Sequence, residues 1–323
     1  MSTRNRALKA LSLVTLFGAS GARGQATAEV PMWAYPSPPP GFQLPADDGV
    51  ARRVPGSQIT YTLTQLRDPF FAPDWHPQEH PPMPDAVRQG RRPDQLACGY
   101  CHRATGTGGP ENASVAGLPR TYILRQLRDY QSGARRTAVP GRAPTALMIS
   151  TVKAASDADL EAAADYFSKL KLAARIRVKE GSAAPKLTLA NWLFAAAPGG
   201  GTEPLGRRIV EVPENLEQFE ARDPHARFVA YVPRGSVARG EQLVKTGGGK
   251  TLACAGCHEA NLRGTAEIPP IAGRSPTYMV RQLVELQRGV RRGVDADQME
   301  PVVSGLTLDD MIDLAAYLGT QAP

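Results

Sequence analysis

The chain has 323 residues, enough for two domains of ordinary size, and aromatic residues make up only 6%, which is lean for two packed cores. We find no stretch of 18 apolar residues, which argues against a transmembrane helix. The formal net charge is +7, but four basic residues and no acid precede Glu29, so removing those four charges leaves +3.

The first 28 residues have the pattern of a secretory signal peptide. Arg4, Arg6 and Lys9 form a basic start, residues 11–19 form a short apolar run, and residues 26–28 resemble a cleavage site. The apolar run is too short to span a bilayer. We therefore expect a signal peptide at 1–28 and export to the periplasm as a soluble protein.

All four cysteines of the chain belong to two copies of the motif C-x-x-C-H. The motif residues are Cys98, Cys101 and His102 in the first copy and Cys254, Cys257 and His258 in the second. Two thiols three positions apart lie on one face of a helical turn, where both can bond to one porphyrin edge. The adjacent imidazole can then bind the iron. This pattern is typical of c-type haem attachment, so we predict two covalently bound haem c groups with the two histidines as axial ligands.

Other uses of four cysteines are two disulfides, a thioredoxin-like redox pair and a zinc site. A histidine follows both cysteine pairs, the βαβ context of a redox pair is missing, and a zinc site needs a fourth ligand. Haem attachment is therefore favoured. Four haem propionates would bring the charge from +3 to about −1, which leaves no basic surface for binding nucleic acid.

The two motifs stand at the head of matching stretches of sequence, which indicates an internal duplication. Matched pairs are Gly117 and Gly273, Tyr122 and Tyr278, and Arg135 and Arg291 at an offset of 156, and Met148 and Met299 at an offset of 151. We predict a first domain at 29–171, which includes an N-terminal extension, and a second at 206–323. Residues 172–205 are predicted to be an extended connector, with a strand near residues 176–178. Residues 31–45 contain six prolines and are predicted to form an extended surface arm.

Within each copy the pattern is helical. Pro119 and Pro276 suit the first turn of a middle helix with apolar residues at i, i+4 and i+7. Ser156 and Thr307 begin sequences typical of capping boxes, which would open a terminal helix. We predict an all-α fold class with extended, non-helical arms and linker.

Methionine and histidine are the usual sixth ligands of such irons. Of the methionines after the initiator, only Met148 and Met299 occupy equivalent positions, and we predict that they bind the two irons. Met279 and Met311 match apolar residues of the other copy and are predicted to be core residues.

The remaining histidines, His76, His80 and His225, have no matched partner and lie next to prolines, so we predict surface or loop positions for them. Each motif histidine should donate its other N–H to a backbone carbonyl, near Ala113 in the first copy and near Pro269 in the second.

Two roles stay open for the matched tyrosines, Tyr122 and Tyr278. Each could hydrogen-bond a propionate or be an ordinary half-buried core residue.

Together these features resemble the cytochrome c4-like dihaem cytochromes c. The resemblance rests on both C-x-x-C-H motifs, on Gly-x-x-x-x-Tyr-x-x-Arg-Gln-Leu in each copy, on the matched methionines and on Ala-Ala-Tyr-Leu at 315–318. It implies two tandem class I cytochrome c domains, haems that face each other across a pseudo-twofold interface, and His–Met ligation at both irons. This chain is longer than two minimal haem domains because of residues 51–84 and 172–232.

The resemblance implies periplasmic electron transfer from a donor dehydrogenase or quinol-oxidising complex to a terminal acceptor. Its partners would be redox proteins, and a position at the periphery of a membrane complex is compatible with the sequence. We expect no catalytic residue, because two methionines would close both irons to substrate. The alternatives are a dihaem peroxidase, a thiosulfate dehydrogenase-like oxidoreductase, or the cytochrome subunit of a larger dehydrogenase.

Overall fold

A computed structural model describes residues 29–323. The predicted signal peptide at 1–28 lies outside the described residues. The described chain contains a helical first half, a region of short strands between residues 176 and 233, and a helical second half.

The first half begins with an arm that is only partly on the surface. A single 3-10 turn at Met32–Ala34 is followed by Tyr35, and Ala34 and Tyr35 are buried. Arg281 of the second half fixes this turn by donating to the carbonyl oxygen of Ala34 at 2.8 Å. The predicted surface arm is therefore wrong at Ala34 and Tyr35, because the start of the arm packs on the second half.

The helices of the first half frame a small core. They are α1 (Leu63–Arg67), α2 (Asp85–Arg88), α3 (Cys98–His102), α4 (Arg120–Ser132), α5 (Ala143–Ala154) and α6 (Asp157–Ser168). Ile123 of α4 and Phe167 of α6 meet in a buried cluster with Val87 of α2. The predicted capping box is confirmed, since Ser156 accepts from the Asp159 backbone N–H at 3.2 Å and Asp159 accepts from that of Ser156 at 3.0 Å.

Strands occupy the region between the halves. They are β1 (Ile176–Gly181), β2 (Ala183–Pro185), β3 (Leu187–Ala190), β4 (Leu193–Ala196), β5 (Thr202–Pro204), β6 (Val210–Pro213) and, after helix α7 (Leu216–Glu220), β7 (Phe228–Pro233). β7 is the central strand of a three-stranded sheet, parallel to β1 and antiparallel to β6. The pairs β2–β5 and β3–β4 are antiparallel hairpin-like ribbons.

This strand region corrects the predicted fold class. The all-α prediction holds for the two helical halves and not for residues 176–233, although a strand at 176–178 was expected. β6 and β7 are rich in buried valine, which favours strands that are covered on both faces. The sheet also joins β1, from the predicted connector, to β6 and β7, which follow the predicted boundary at 205–206.

The second half is built around its terminal helix. Its helices are α8 (Ser236–Thr246), α9 (Ala255–His258), α10 (Pro276–Gln287), α11 (Val294–Val303) and α12 (Leu308–Thr320). A Cβ atom at Gly240 of α8 would lie only 1.9 Å from the Asp313 carbonyl oxygen of α12, so glycine is required at this crossing. Thr307 and Asp310 form the predicted capping box, and Met311 is fully buried, as predicted.

Candidate haem sites

The two C-x-x-C-H motifs form short helical turns in equivalent positions. The first turn is α3, and the second is α9 with Cys254 as the residue before it. The residue after each histidine has a positive φ, +68° at Arg103 and +66° at Glu259. Because L-residues rarely adopt this conformation, its presence in both halves indicates that the chain turns in the same way behind each motif.

Both motif histidines are held by a backbone carbonyl. Nδ1 of His102 lies 2.9 Å from the carbonyl oxygen of Ala113, and Nδ1 of His258 lies 2.8 Å from that of Pro269. Since a carbonyl oxygen only accepts hydrogen bonds, Nδ1 carries the proton and donates it. Nε2 is then the unprotonated nitrogen that an iron can take as a ligand. The predicted acceptors, Ala113 and Pro269, are confirmed.

Burial sets the protonation of the motif side chains. It lowers the pKa of His102 and that of His258, which favours the neutral imidazole that iron ligation needs. It raises the pKa of the Cys98 thiol to about 12 and that of the Cys254 thiol to about 11. These thiols are therefore unlike the low-pKa cysteines of redox-active pairs.

One continuous cavity of about 360 Å³ is lined by both motifs. The predicted haem residues on its wall are Cys98, Cys101, His102 and Met148 from the first half and Cys254, Cys257, His258 and Met299 from the second. Met148 comes from α5 and Met299 from α11, so every predicted site residue reaches the same cavity. Iron ligation by the two methionines stays a prediction.

The rest of the cavity wall fits an apolar ring that carries carboxylates. Its apolar side chains include Leu118, Leu127 and Leu160 from the first half and Ile271, Leu283 and Leu314 from the second. Arg142 and Arg274 are buried on the wall, and Nε of each, with Nη2 of Arg142, has no hydrogen-bond partner in the described chain. Burial lowers the pKa of both arginines to about 10. Buried polar groups are normally paired, so these guanidinium groups fit the propionates of a haem.

Two arginines cross between the halves and have matched partners. Arg135 donates to Tyr278 Oη at 3.1 Å, and Arg291 donates to Tyr122 Oη at 2.7 Å. The shared acceptors are Gln126 and Gln282, whose Oε1 atoms each lie 2.8 Å from Arg135 and 3.1 Å from Arg291. The two tyrosines, whose role the sequence left open, therefore bind an arginine of the opposite half. The match between the two sequence copies singled out these residues, but it did not predict that each arginine would bond to the opposite half.

The histidines outside the motifs all lie in loops, as predicted, but not all of them lie on the surface. His225 is in a loop, and its side chain is 45% exposed, as expected. His76 is only 2% exposed, with Nε2 3.3 Å from Oδ1 of Asp223. The His80 side chain is also buried, with Nε2 3.1 Å from Oδ1 of Asp74. All three lie outside helices and strands, as the loop alternative predicted, but surface exposure is wrong for His76 and for the His80 side chain, because the N-terminal extension packs against the rest of the protein.

Comparisons with known proteins agree with this geometry. The cytochrome c family model matches residues 237–322. The chain is 34% identical over 88 residues to cytochrome c-554(548) of Halomonas halodenitrificans, which covers 27% of this chain and 98% of that protein. It is 26% identical to a thiosulfate dehydrogenase electron acceptor of Thiomonas intermedia, over 71% of this chain and 80% of the relative. It is 25% identical to cytochrome c4 of Azotobacter vinelandii, over 72% of this chain and 87% of the relative.

The chain therefore belongs to the cytochrome c family. Its two motifs and its likeness to cytochrome c4 over most of its length make it a dihaem c-type cytochrome of the cytochrome c4-like kind, with covalently bound haem c and a role in electron transfer. Among residues 29–323, none of the helices is both long enough and apolar enough to cross a membrane.

Proposed function

We propose that the protein is a periplasmic electron carrier without substrate chemistry of its own. In this proposal Cys98 and Cys101 attach the first haem and Cys254 and Cys257 the second. His102 and Met148 bind the first iron, and His258 and Met299 bind the second. The observation that carries the proposal is the single cavity, whose wall contains all eight of these residues in two matched sets.

The ligand set determines what the site can do. A bound haem would supply an iron that gains or loses one electron, and an iron held by both an imidazole and a thioether of this chain would have no position left for a substrate. The carbonyls of Ala113 and Pro269 hold the two imidazoles in orientation. Methionine ligation raises the reduction potential, which suits an acceptor of electrons from a dehydrogenase.

The two sites lie close enough to share one cavity, which supports electron exchange within the molecule. The crossing arginines, the buried Arg135 and the half-buried Arg291, hold the two halves in position relative to each other. With Arg142 and Arg274 they supply positive charge where four propionates would be buried.

The donor and the location are parts of the same proposal. One relative is named as an electron acceptor of thiosulfate dehydrogenase, which supports a dehydrogenase as the donor. The predicted signal peptide supports export, because haem attachment would then take place outside the cytoplasm. Redox proteins, and a position at the periphery of a membrane complex, are the partners that we propose.

Spectroscopy of the purified holoprotein tests the ligand assignment. We expect two haems per chain, both low-spin in both oxidation states, and slow or undetectable binding of peroxide. Met148→His and Met299→His should each lower the reduction potential of one haem, by on the order of 0.1 V within the ~0.8 V span of haem proteins. Met279→Leu is the matched control, because Met279 lies on the same cavity wall and is not a proposed ligand.

The rival function is that of a dihaem oxidoreductase, either a peroxidase or a thiosulfate dehydrogenase-like enzyme. Such an enzyme needs one iron with an open or displaceable position. A high-spin haem in the unaltered protein, or a potential that Met148→His or Met299→His leaves unchanged, would favour the enzyme over the carrier.

A further inference from the structure

A cluster of metal-ligating side chains lies outside the haem cavity. One ligand atom from each of His76, Asp223 and His225 falls within 4.8 Å of the other two. The imidazole rings of His76 and His225 are stacked, with centroids 4.0 Å apart. Glu79 adds a second carboxylate, since its Oε2 lies 2.7 Å from Nε2 of His225. Two imidazoles and the Asp223 carboxylate therefore lie together, and Glu79 is joined to them through His225.

Asp223 is the centre of this cluster, and its environment points to a cation. It is fully buried, and among residues 29–323 no lysine or arginine forms an ion pair with it within 4.0 Å. The nearby Arg175 donates instead to the carbonyl oxygens of Pro224 and Ala226, at 3.3 and 3.1 Å. A buried carboxylate is costly unless a positive group compensates it, and the contact with His76 supplies a charge only when that imidazole is protonated.

The carboxylate is also oriented as ligands usually are. Oδ2 of Asp223 accepts from Nε2 of Gln218 at 2.7 Å, and Oδ1 accepts from the backbone N–H of His225 at 2.8 Å. Metal-binding carboxylates and imidazoles are typically held by such outer hydrogen bonds. One lone pair of Oδ1 is left facing Nε2 of His76, at 3.3 Å.

We propose that His76, Asp223 and His225, with Glu79 as a fourth donor, form a zinc-binding site. Zinc accepts histidine nitrogen and carboxylate oxygen in a tetrahedral arrangement with bonds of about 2.0–2.2 Å. Binding would replace the hydrogen bond between His225 and Glu79 by two bonds to the metal. The site does not depend on the electron-transfer role, because it shares no residue with the haem cavity.

The position of the site suggests what zinc would stabilise. His76 and Glu79 belong to the N-terminal extension, whereas Asp223 and His225 belong to the strand region, about 147 residues later. Arg222, next to Asp223, donates to the carbonyl oxygen of Tyr100 at 3.0 Å, inside the first haem motif. Zinc would therefore join the N-terminal extension to a segment that contacts the first haem motif.

Zinc titration of the untagged holoprotein tests the site. The chain has five histidines, and the two in the haem motifs are occupied in the holoprotein, which leaves His76, His80 and His225. After chelator treatment we expect one Zn²⁺ bound per chain from added ZnCl₂, by calorimetry and elemental analysis, and a higher unfolding temperature. The haem absorption spectrum should not change.

Variants separate a real site from incidental binding. His225→Gln alters a half-exposed side chain, so the protein should fold, and zinc affinity should fall by more than the ~10–100-fold expected for loss of an outer hydrogen bond. Gln218→Leu removes such an outer hydrogen bond, and its zinc affinity should fall by ~10–100-fold. His80→Gln is the matched control and should bind zinc as the unaltered chain does. Absence of binding at about 1 mM Zn²⁺, unchanged affinity in His225→Gln, or equal loss in His80→Gln would each overturn the proposal.

Discussion

The two halves hold the same haem motif but support it in different ways. In the second half, α8 has 11 residues and crosses the terminal helix α12. At the equivalent positions of the first half stand Pro81, Pro82 and Pro84, and only the four residues of α2 form a helix. Proline removes a backbone donor and clashes with the preceding helical turn, so a long helix cannot form there.

The first half replaces that helix with contacts from distant segments. Trp75 of the extension donates to the carbonyl oxygen of Ala221 at 2.7 Å. Arg222 reaches the carbonyl oxygen of Tyr100 in the first motif, and its guanidinium lies 3.5 Å above the Tyr100 ring. The comparison teaches that one local helix supports the motif in the second half, whereas contacts from two distant segments surround it in the first.

Removing a contact between the two inserted segments should have the largest effect on stability. We expect that effect in the first half. Trp75 is 1% exposed and packs with Val54 and Leu66, so Trp75→Ala should cost about 3–5 kcal/mol in the stability of the first half. Thermal unfolding with a redox titration of both haems measures this. Trp75→Phe keeps a ring but loses the hydrogen bond, and should cost less. An equal change at both haems would contradict the division of support between the halves.

The interface is where the two halves are alike, and its symmetry can be tested. Tyr122→Phe removes an acceptor of Arg291, and Tyr278→Phe removes an acceptor of Arg135. A hydrogen bond to a charged group contributes about 1.5–3 kcal/mol, so each variant should lose that much stability, and by a similar amount. Chemical denaturation of both variants measures it. If only one variant were destabilised, the crossing would be asymmetric in energy despite its matched geometry.

The stability of the second half should depend on the close crossing of α8 and α12, which has no counterpart in the first half. A methyl group at Gly240 would meet the Asp313 carbonyl oxygen and the Tyr317 side chain, so Gly240→Ala should cost about 1–3 kcal/mol through overpacking. Gly199→Ala is the control, because nothing lies within 4 Å of its added methyl group and its φ is not positive. If Gly240→Ala also lowered the stability of the first half, α8 would support both halves.

Local sequence was sufficient for the parts of the site that depend on a few neighbouring residues. The motif turns, the capping boxes at Ser156 and Thr307, and the carbonyl partners of both histidines follow from spacing and from the duplication. Comparison of the two copies adds information that a single copy would not contain.

The parts that the sequence did not predict depend on distant pairing. Strand β1 pairs in parallel with β7, about 50 residues later, and no local periodicity specifies such a partner. His76 looked like a loop residue beside proline, and it is buried because Asp223 and His225 lie over it. The crossing of Arg135 and Arg291 likewise needs both halves in place.

The smallest effects that we expect are at the two capping boxes, where the halves should respond alike. Ser156→Ala and Thr307→Ala each remove the hydroxyl that accepts from the third helical residue, which should cost about 1 kcal/mol. Chemical denaturation of both variants checks this. A loss confined to Thr307→Ala would mean that α6 needs no cap, since the inserted segments already hold it.

Acid should weaken both caps, because the pKa of Asp159 and that of the matched Asp310 are both lowered by hydrogen bonds to the carboxylate. Burial raises the pKa of Asp159, but hydrogen bonds from Arg91 and Ser156 outweigh it and hold that pKa at about 2, below the usual 3.8. A carboxylate with a lowered pKa stabilises the fold above its unfolded pKa, and that stability is lost as pH falls towards the folded value. The stability difference between the unaltered chain and Asp159→Asn should therefore shrink between about pH 4 and pH 2. A difference that stayed constant over this range would show that Asp159 acts by packing and not by charge.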